Sequence, residues 1–337
     1  MKILGDSIEL SVGPETVRGT PVAPVITVPG RAPVMLHPVL DKVLVRETRG
    51  SRMSSQASEI VQKRAEGTFE FNVRNNSIRH FLKSLLGKAT ENTVGGVTTS
   101  VYELLPHNPQ HPTNTFYLHQ PTGFPSYRYP FGFVSQIEFR TPVNELVNAT
   151  ATLMAANEVA LEAPVSKPAS GDAADDFYFR NWNVRIKLAE SLGGLDAAQA
   201  LKVKEFALTM NNSGRADQNI GDLTPSDFVA LLLEATGSMT IDYEGATHRN
   251  IYADGAYRAL RVEMERPDVS LGGGAHPKIT IDLPRISYET LEPNRPIDEV
   301  VQDSISFNAH YDENSLDGLS VTVVSGEAGG DGESPES

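Results

Sequence analysis

The sequence predicts a mainly β protein assembled from two tandem copies of one sheet unit, each with a short flanking helix. Three observations carry that prediction. The first is a strand written twice: Gly67-Thr68-Phe69-Glu70-Phe71-Asn72-Val73 and, 170 residues on, Gly237-Ser238-Met239-Thr240-Ile241-Asp242-Tyr243. Both alternate apolar and polar at every step, the mark of a strand with one buried and one wet face. The second is a register that outlasts the strand. Arg79 falls on Arg249, Phe81 on Ile251, and residues 149–154 on 319–324, all at the same offset of 170. Residues 137–139 fall near 305–307 with a slip of two, and 42–45 resemble 204–208 with a larger one. The third is length: 337 residues suit two domains of roughly 100–200 each.

Taken in order, 7–12 reads as a strand and 13–33 as a Gly/Pro-rich arm over the surface. A strand around Val43 gives way to the basic run Arg46-Glu47-Thr48-Arg49-Gly50-Ser51-Arg52 and a polar stretch to Glu59, a long loop between strands. After the first repeated strand, Ile78, Phe81, Leu82, Leu85 and Leu86 recur at helical spacing. Asn76 or Ser77 can cap that helix and Gly87 can end it; its counterpart is 247–256. Residues 105–130 are crowded with proline, histidine and aromatics and read as an ordered excursion. Strands follow at 133–140 and 147–155. The Pro- and acid-containing stretch 158–176 reads as the linker between a first unit, 1–157, and a second, 177–325, which opens on a strand at 184–188. Thr224 and Pro225 suggest a short helical turn feeding the strand at 237. The end, 326–337, is predicted to be a disordered acidic tail.

A net charge of −14 argues against a protein that holds nucleic acid by neutralising phosphates. With no cysteine there are no disulfides, thiolate metal sites or cysteine nucleophiles. No targeting segment or membrane span is expected, since the densest apolar run, near Phe228, is short.

Candidate chemistry fails residue by residue. Gly5-Asp6-Ser7 resembles the nucleophile block of the GDS hydrolases, but none of the eight histidines has an aspartate three residues before it. His107, His111 and His119 share one segment, yet Pro106, Pro109 and Pro112 forbid the helix that would align two ligands. Gly272-Gly273-Gly274 lacks the lysine of a phosphate loop, and Asp312, Glu313, Asn314 and Asp317 lack the calcium-loop pattern. Glu70 and Asp242 occupy equivalent strand positions but belong to a solvated face. Neither a catalytic activity nor a cofactor or metal is expected.

A sheet covered on one side only presents its polar alternation to solvent. Thr68, Glu70, Asn72, Gln136, Glu138, Thr150 and Thr152 would share that face in the first unit. Ser238, Thr240, Asp242, Ser306, Asn308, Ser320 and Thr322 would share it in the second. Alongside this reading, the chain resembles the tail tube (major tail) proteins of long-tailed bacteriophages. The resemblance lies in the Gly19-Thr20-Pro21-Val22 arm, the long loop before Gly67, the helix closing on Leu85-Leu86-Gly87, and Ala235-Thr236-Gly237-Ser238-Met239. It continues through Ile279-Thr280-Ile281-Asp282-Leu283-Pro284-Arg285-Ile286 and the closing segment 303–324.

The resemblance implies two tandem tail-tube-type β-sandwich units, with inner sheets joining into a ring-shaped barrel. It further implies trimeric, pseudo-sixfold rings stacked head-to-tail, a virion location after assembly in the host cytoplasm, and tape measure, terminator and tip proteins as partners. DNA would pass through without specific binding. Lumen-facing residues would then be Thr68, Glu70, Asn72, Glu138, Arg140, Thr150, Thr152, Thr240, Asp242, Ser306, Asn308 and Thr322, with Arg140 needing a neighbouring acid to keep it off the DNA. Arg46, Arg49 and Arg52 would bridge to acids of the next ring. The 105–130 excursion would decorate the outside or bridge subunits. The rival reading is a β-sandwich adhesion, carbohydrate-binding or shell module, for which Phe124, Tyr127, Tyr129 and Phe131 would be the exposed aromatic cluster.

Overall fold

A computed structural model describes residues 4–48, 50, 53–163, 165–295, 297, 300–313 and 318–326. Arg49, Arg52 and the expected tail beyond Gly326 lie outside the described residues. The first half runs β1 (Glu9–Pro14), β2 (Ile26–Val28), β3 (His37–Val45), β4 (Ala57–Asn72), α1 (Ser77–Leu86), β5 (Gly87–Val94), β6 (Val97–Leu104), β7 (Asn114–His119), β8 (Tyr127–Pro142), β9 (Asn148–Ala155) and β10 (Val159–Ala160). The second runs β11 (Val184–Ala189), β12 (Val203–Asn211), β13 (Arg215–Asp217), β14 (Asp227–Val229), β15 (Glu234–Asp242), α2 (Thr247–Ala253), β16 (Arg258–Glu265), β17 (Lys278–Asn294), β18 (Gln302–His310) and β19 (Ser320–Gly326).

Both halves follow one wiring. In the first, β4 pairs with β3 and β9, β9 with β8, and the early part of β8 with β7 and β10, while β1 pairs with β7. In the second, β15 pairs with β12 and β18, β18 with β17, and the early part of β17 with β16 and β19, while β11 pairs with β16. This wiring corrects the sequence register. The neighbour of the repeated strand in the second half is β18, not 319–324: Phe69 faces Ala151 as Met239 faces Ile305. The offset of 170 therefore drops to 154 beyond the helices. Any two half-buried strands share an alternation, and that shared period produced the false match. Between the helix and β7 the first half carries an extra hairpin, β5–β6, which the sequence reading did not foresee.

The expected ring-shaped barrel is overturned. Seventeen strands form one open hydrogen-bonded sheet, and β13–β14 form a separate two-stranded ribbon. Its central run is β3–β4–β9–β8–β12–β15–β18–β17. Closure requires the first strand of such a run to meet the last. Here β3 and residues 287–294 of β17 stand at opposite ends, and neither pairs further among the described residues.

Besides the bridging of Tyr178 to Arg74 and of Arg180 to Leu146, the two halves meet along three main seams. β8 pairs with β12 from Gln136↔Asn211 to Pro142↔Glu205. The extra hairpin reaches across to the last strand, β6 pairing with β19 from Val97↔Gly326 to Glu103↔Ser320. At this seam Arg79 of α1 donates to Tyr102 Oη at 3.3 Å, Ser325 Oγ at 3.2 Å and Glu91 at 3.0 Å. The third seam is the stretch between β12 and β15, which turns down over the first half. Phe228 is buried against Phe131 and Phe133, with ring centroids 5.3 and 6.1 Å away. Arg18 donates to Phe228 O at 2.7 Å and pairs with Asp227. The helical turn expected at 224–225 does not form; β14 takes its place, because Phe228 has a core to enter.

One continuous core fills the space behind the central run. Phe69 and Phe71 of β4, Phe81 of α1 and Phe116 of β7 stack in series, neighbouring centroids lying 5.0 to 6.5 Å apart. All four are fully buried, each contributing about 2–3 kcal/mol of apolar burial. Phe116 comes from the 105–130 stretch, which corrects another expectation. That stretch is no outer decoration: β7 is an interior strand, and His111 is buried with its Nδ1 2.9 Å from Leu85 O at the C-terminus of α1. Its N–H fits there because the last helical carbonyls lack intrahelical donors.

Candidate functional site

The central run buries one face and leaves the other polar across both halves. Register defines rows that cross the β8–β12 seam. One row is Glu70–Thr150–Glu138–Thr209–Thr236–Asn308–Ser287. The next is Asn72–Asn148–Arg140–Ala207–Ser238–Ser306–Thr290. The face exists because β4, β9, β8, β12, β15 and β18 each keep the period of two, placing Phe71, Ala149, Phe139, Leu208, Met239 and Phe307 in the core.

Eleven of the twelve singled-out polar residues meet on this face: Thr68, Glu70, Asn72, Glu138, Arg140, Thr150, Thr152, Thr240, Asp242, Ser306 and Asn308. Thr322 does not. It sits in β19 between Thr280 and Val101, outside the central run, misplaced by the false register. Sequence reasoning missed Glu205, Thr209, Thr236, Ser287 and Thr290, although the alternation through Lys204-Glu205-Phe206-Ala207-Leu208 was there to be followed. Arg46 is exposed at the end of β3.

Two cations of the face are held by acids. Arg140 Nε lies 2.7 Å from Glu138 Oε1, and Lys204 Nζ 3.1 Å from Asp242 Oδ2. Arg31 sits between Glu70, at 3.5 Å, and Glu145, at 2.7 Å. Arg140 and Lys204 thus each have an acid beside them, Arg285 at the far end of the run stacks on the Tyr257 ring instead, and Glu205 adds an exposed negative charge. An open depression of about 410 Å³ runs over Glu138, Arg140, Glu205, Thr236, Ser306 and Asn308. Its lining is polar and flat, without the apolar walls of a ligand pocket.

Among the described residues nothing else assembles into a reactive constellation. Ser7 lies on a single exposed turn, Gly5–Ser7. Among the described residues no group of three His, Cys, Asp or Glu could hold a metal ion. Of the three histidines in one segment, His111 is spent on the helix C-terminus, and His119 packs on Tyr117 with centroids 6.3 Å apart. The calcium-loop candidates Asn314 and Asp317 lie outside the described residues. The aromatic cluster of the adhesion reading is not an exposed platform: Tyr129 is buried with its hydroxyl donating to Glu158 at 2.6 Å, and Phe131 packs edge-on against Phe228.

A family model described as phage tail tube protein matches residues 5–309 of the chain. No curated protein matches it.

Proposed function

The chain belongs to the phage tail tube protein family, a structural component of the virion tail and not an enzyme or an adhesin, and we propose that three copies form each ring of the tube. Each copy would contribute two similar units, residues 1–157 and 177–325 joined by 158–176, giving pseudo-sixfold rings that stack head-to-tail in the host cytoplasm. Tape measure, terminator and tip proteins are the expected partners. The observation that carries this reading is the pair of rows crossing both halves, polar at every position but Ala207. Turned towards the bore, that face gives DNA a wall of threonine, serine and asparagine with Glu70, Glu138, Glu205 and Asp242 among them.

Such a wall suits passage. A basic bore would bind the duplex by releasing counterions, whereas like charge keeps phosphate from sticking. The Arg140–Glu138 and Lys204–Asp242 contacts support this by neutralising two cations of the face. Electron microscopy of the purified protein tests the assembly: tubes or stacked rings are expected, and stable monomers at high concentration overturn it. Phage carrying Glu70→Lys, Glu138→Lys and Glu205→Lys together should assemble but eject DNA more slowly, the more so at low salt. Unchanged ejection rates would mean that another face lines the bore.

A further inference from the structure

Away from the polar rows, four arginines gather around a set of aromatic rings. The guanidinium of Arg74, just before α1, lies over the Tyr178 ring at 5.5 Å, and those of Arg180 and Arg266 lie over the same ring at 5.8 and 5.2 Å. Arg180 also stands 5.2 Å over Trp182, which is 61% exposed, and Arg266 stands 5.8 Å over Phe177. Beside Trp182, the exposed Arg185 shares an open depression of about 210 Å³ with Glu265 and Pro267. Asp268 pairs with Arg180 at 3.3 Å and with Arg266 at 2.8 Å. Glu265 lies 4.0 Å from Lys278, and the Asp176 carboxyl is taken by the N-terminus of α1. Four arginines and Lys278 thus meet Asp268, Glu265 and, at the border, Asp175, in a chain of net charge −14. Stacking on rings orients the guanidinium planes in advance, so little further side-chain freedom is lost when they pair with carboxylates.

The C-terminal segment starts at the border of this patch. Gly326 ends β19, and a Cβ on it would stand 3.6 Å from Asp175 Cβ and from Leu271 Cδ2. One residue on from Asp175, the carbonyl of Asp176 accepts Arg74 Nη1 at 2.6 Å. The chain therefore leaves β19 on the order of 10 Å from the Arg74 guanidinium. Three steps of 5.2 to 5.8 Å lead from there over Tyr178 and Arg180 to Trp182. Residues 327–337 carry Glu327, Asp331, Glu333 and Glu336 and include no basic residue. At about 3.3 Å per residue they span up to roughly 36 Å, which takes them past Trp182 with length to spare.

We propose that residues 327–337 dock on the arginine–aromatic surface of their own chain, Glu333 and Glu336 reaching Arg180 and Arg185, and shield it from other polyanions. Exposed ion pairs are individually weak, but a tether of this length holds the acids at an effective concentration of about millimolar. The surface beneath is of the kind that takes nucleic acid: Trp182 offers a face for a base, and the fixed guanidinium groups offer partners for phosphate. Covered by acids of the same chain, it no longer competes for DNA. The inference goes beyond the tube reading and does not depend on it, since a single chain suffices to show it.

Trp182 is the only tryptophan and the chain has no cysteine, so the test needs one substitution. Ser334→Cys in the full chain is labelled with a dansyl acceptor, and energy transfer from Trp182 is followed in dilute solution. The label should at least halve Trp182 emission at about 0.01 M salt, and the emission should recover at about 1 M, as the screening length falls from roughly 30 to 3 Å. Adding Glu327→Gln, Asp331→Asn, Glu333→Gln and Glu336→Gln should abolish the salt dependence, and these changes leave the folded core untouched. Arg180→Gln with Arg185→Gln should do the same at unchanged circular dichroism. Transfer indifferent to salt and to the acids overturns the docking, and transfer indifferent to the two arginines overturns the assigned surface. Quenching of unlabelled wild type by a labelled Trp182→Phe chain would hand the segment to a second copy and overturn docking within one chain. A chain ending at Gly326 should bind heparin at least tenfold more tightly than the full chain at low salt. Equal binding by both overturns the shielding role.

Discussion

The carboxylate of Asp176 accepts the backbone N–H groups of Asn76 at 2.8 Å and Ser77 at 3.0 Å, closing the N-terminus of a helix that starts one hundred residues earlier. Neither Asn76 nor Ser77 caps that helix with its own side chain. The stretch expected to be the linker thus ends on a fully buried cap. Asp176→Ala should cost about 1–3 kcal/mol by leaving two buried donors unsatisfied. Burial pushes the Asp176 carboxyl above its ordinary range despite those N–H bonds, so the neutral Asp176→Asn should stay within about 1 kcal/mol of wild type. Denaturant melts of both variants check the order; equal losses would show that the cap contributes nothing specific.

The glycines of the repeated strand are expected to resist substitution for steric reasons. A Cβ on Gly67 would run into Met35 O and stand 2.6 Å from Leu36 Cα; on Gly237 it would strike the Phe307 ring and stand 2.7 Å from Ala207 O. Gly67→Ala and Gly237→Ala should each destabilise by about 1–3 kcal/mol as the backbone gives way. Thermal melting reads the loss, and a neutral result at either position would mean that the adjoining segment shifts freely.

Phe81 is the middle of the aromatic series, its centroid 5.0 Å from Phe71 and 6.5 Å from Phe116. Phe81→Ala should cost about 3–5 kcal/mol, while Phe81→Leu should recover most of it. Ile251, its counterpart on the weaker α2, is only 6% exposed but belongs to a helix of seven residues. Ile251→Ala should therefore cost less, and urea midpoints of the variants provide the comparison.

Acid should weaken the fold well above the carboxylate range. Burial lowers the pKa of His80 to about 4, with Arg79 and Lys83 adding to the shift, and burial likewise lowers His111, His119 and His248. A histidine with a depressed folded pKa is neutral in the fold and takes up its proton on unfolding. Its contribution is complete above the unfolded value of about 6.5 and shrinks as pH falls towards the folded one, by at most about 1.4 kcal/mol per pH unit and group. Melting temperatures should drop from pH 7.5 to pH 5. His111→Gln, which can keep a donor near Leu85 O, should flatten the slope, and an unchanged slope would remove His111 from the account.

What could be read in the sequence was local. Strict alternation placed the strands around Phe69 and Met239 and assigned their polar sides, and the spacing of Ile78, Phe81, Leu82 and Leu85 located α1. What escaped was partner order. The alternation of 149–154 matches 319–324 as well as it matches β18, because period alone does not say which strands are neighbours. That ambiguity carried Thr322 onto the wrong face. The hairpin β5–β6 escaped because Lys88, Thr90, Glu91, Asn92 and Thr93 show no apolar stripe; its pairing with β19 is written in the tertiary structure. The buried role of Phe228 was equally hidden, since nothing nearby in sequence announces Phe131 and Phe133 as its neighbours.

The seam between β6 and β19 has a mechanical consequence. A strand from early in the chain is zipped to one from its close, and elsewhere in the sheet β8 is zipped to β12, so the covalent crossing at 158–176 is only one of several ties. A single proteolytic scission there would leave both fragments clasped as one body, and tension on the assembled tail would be shared among backbone ladders instead of falling on one tether.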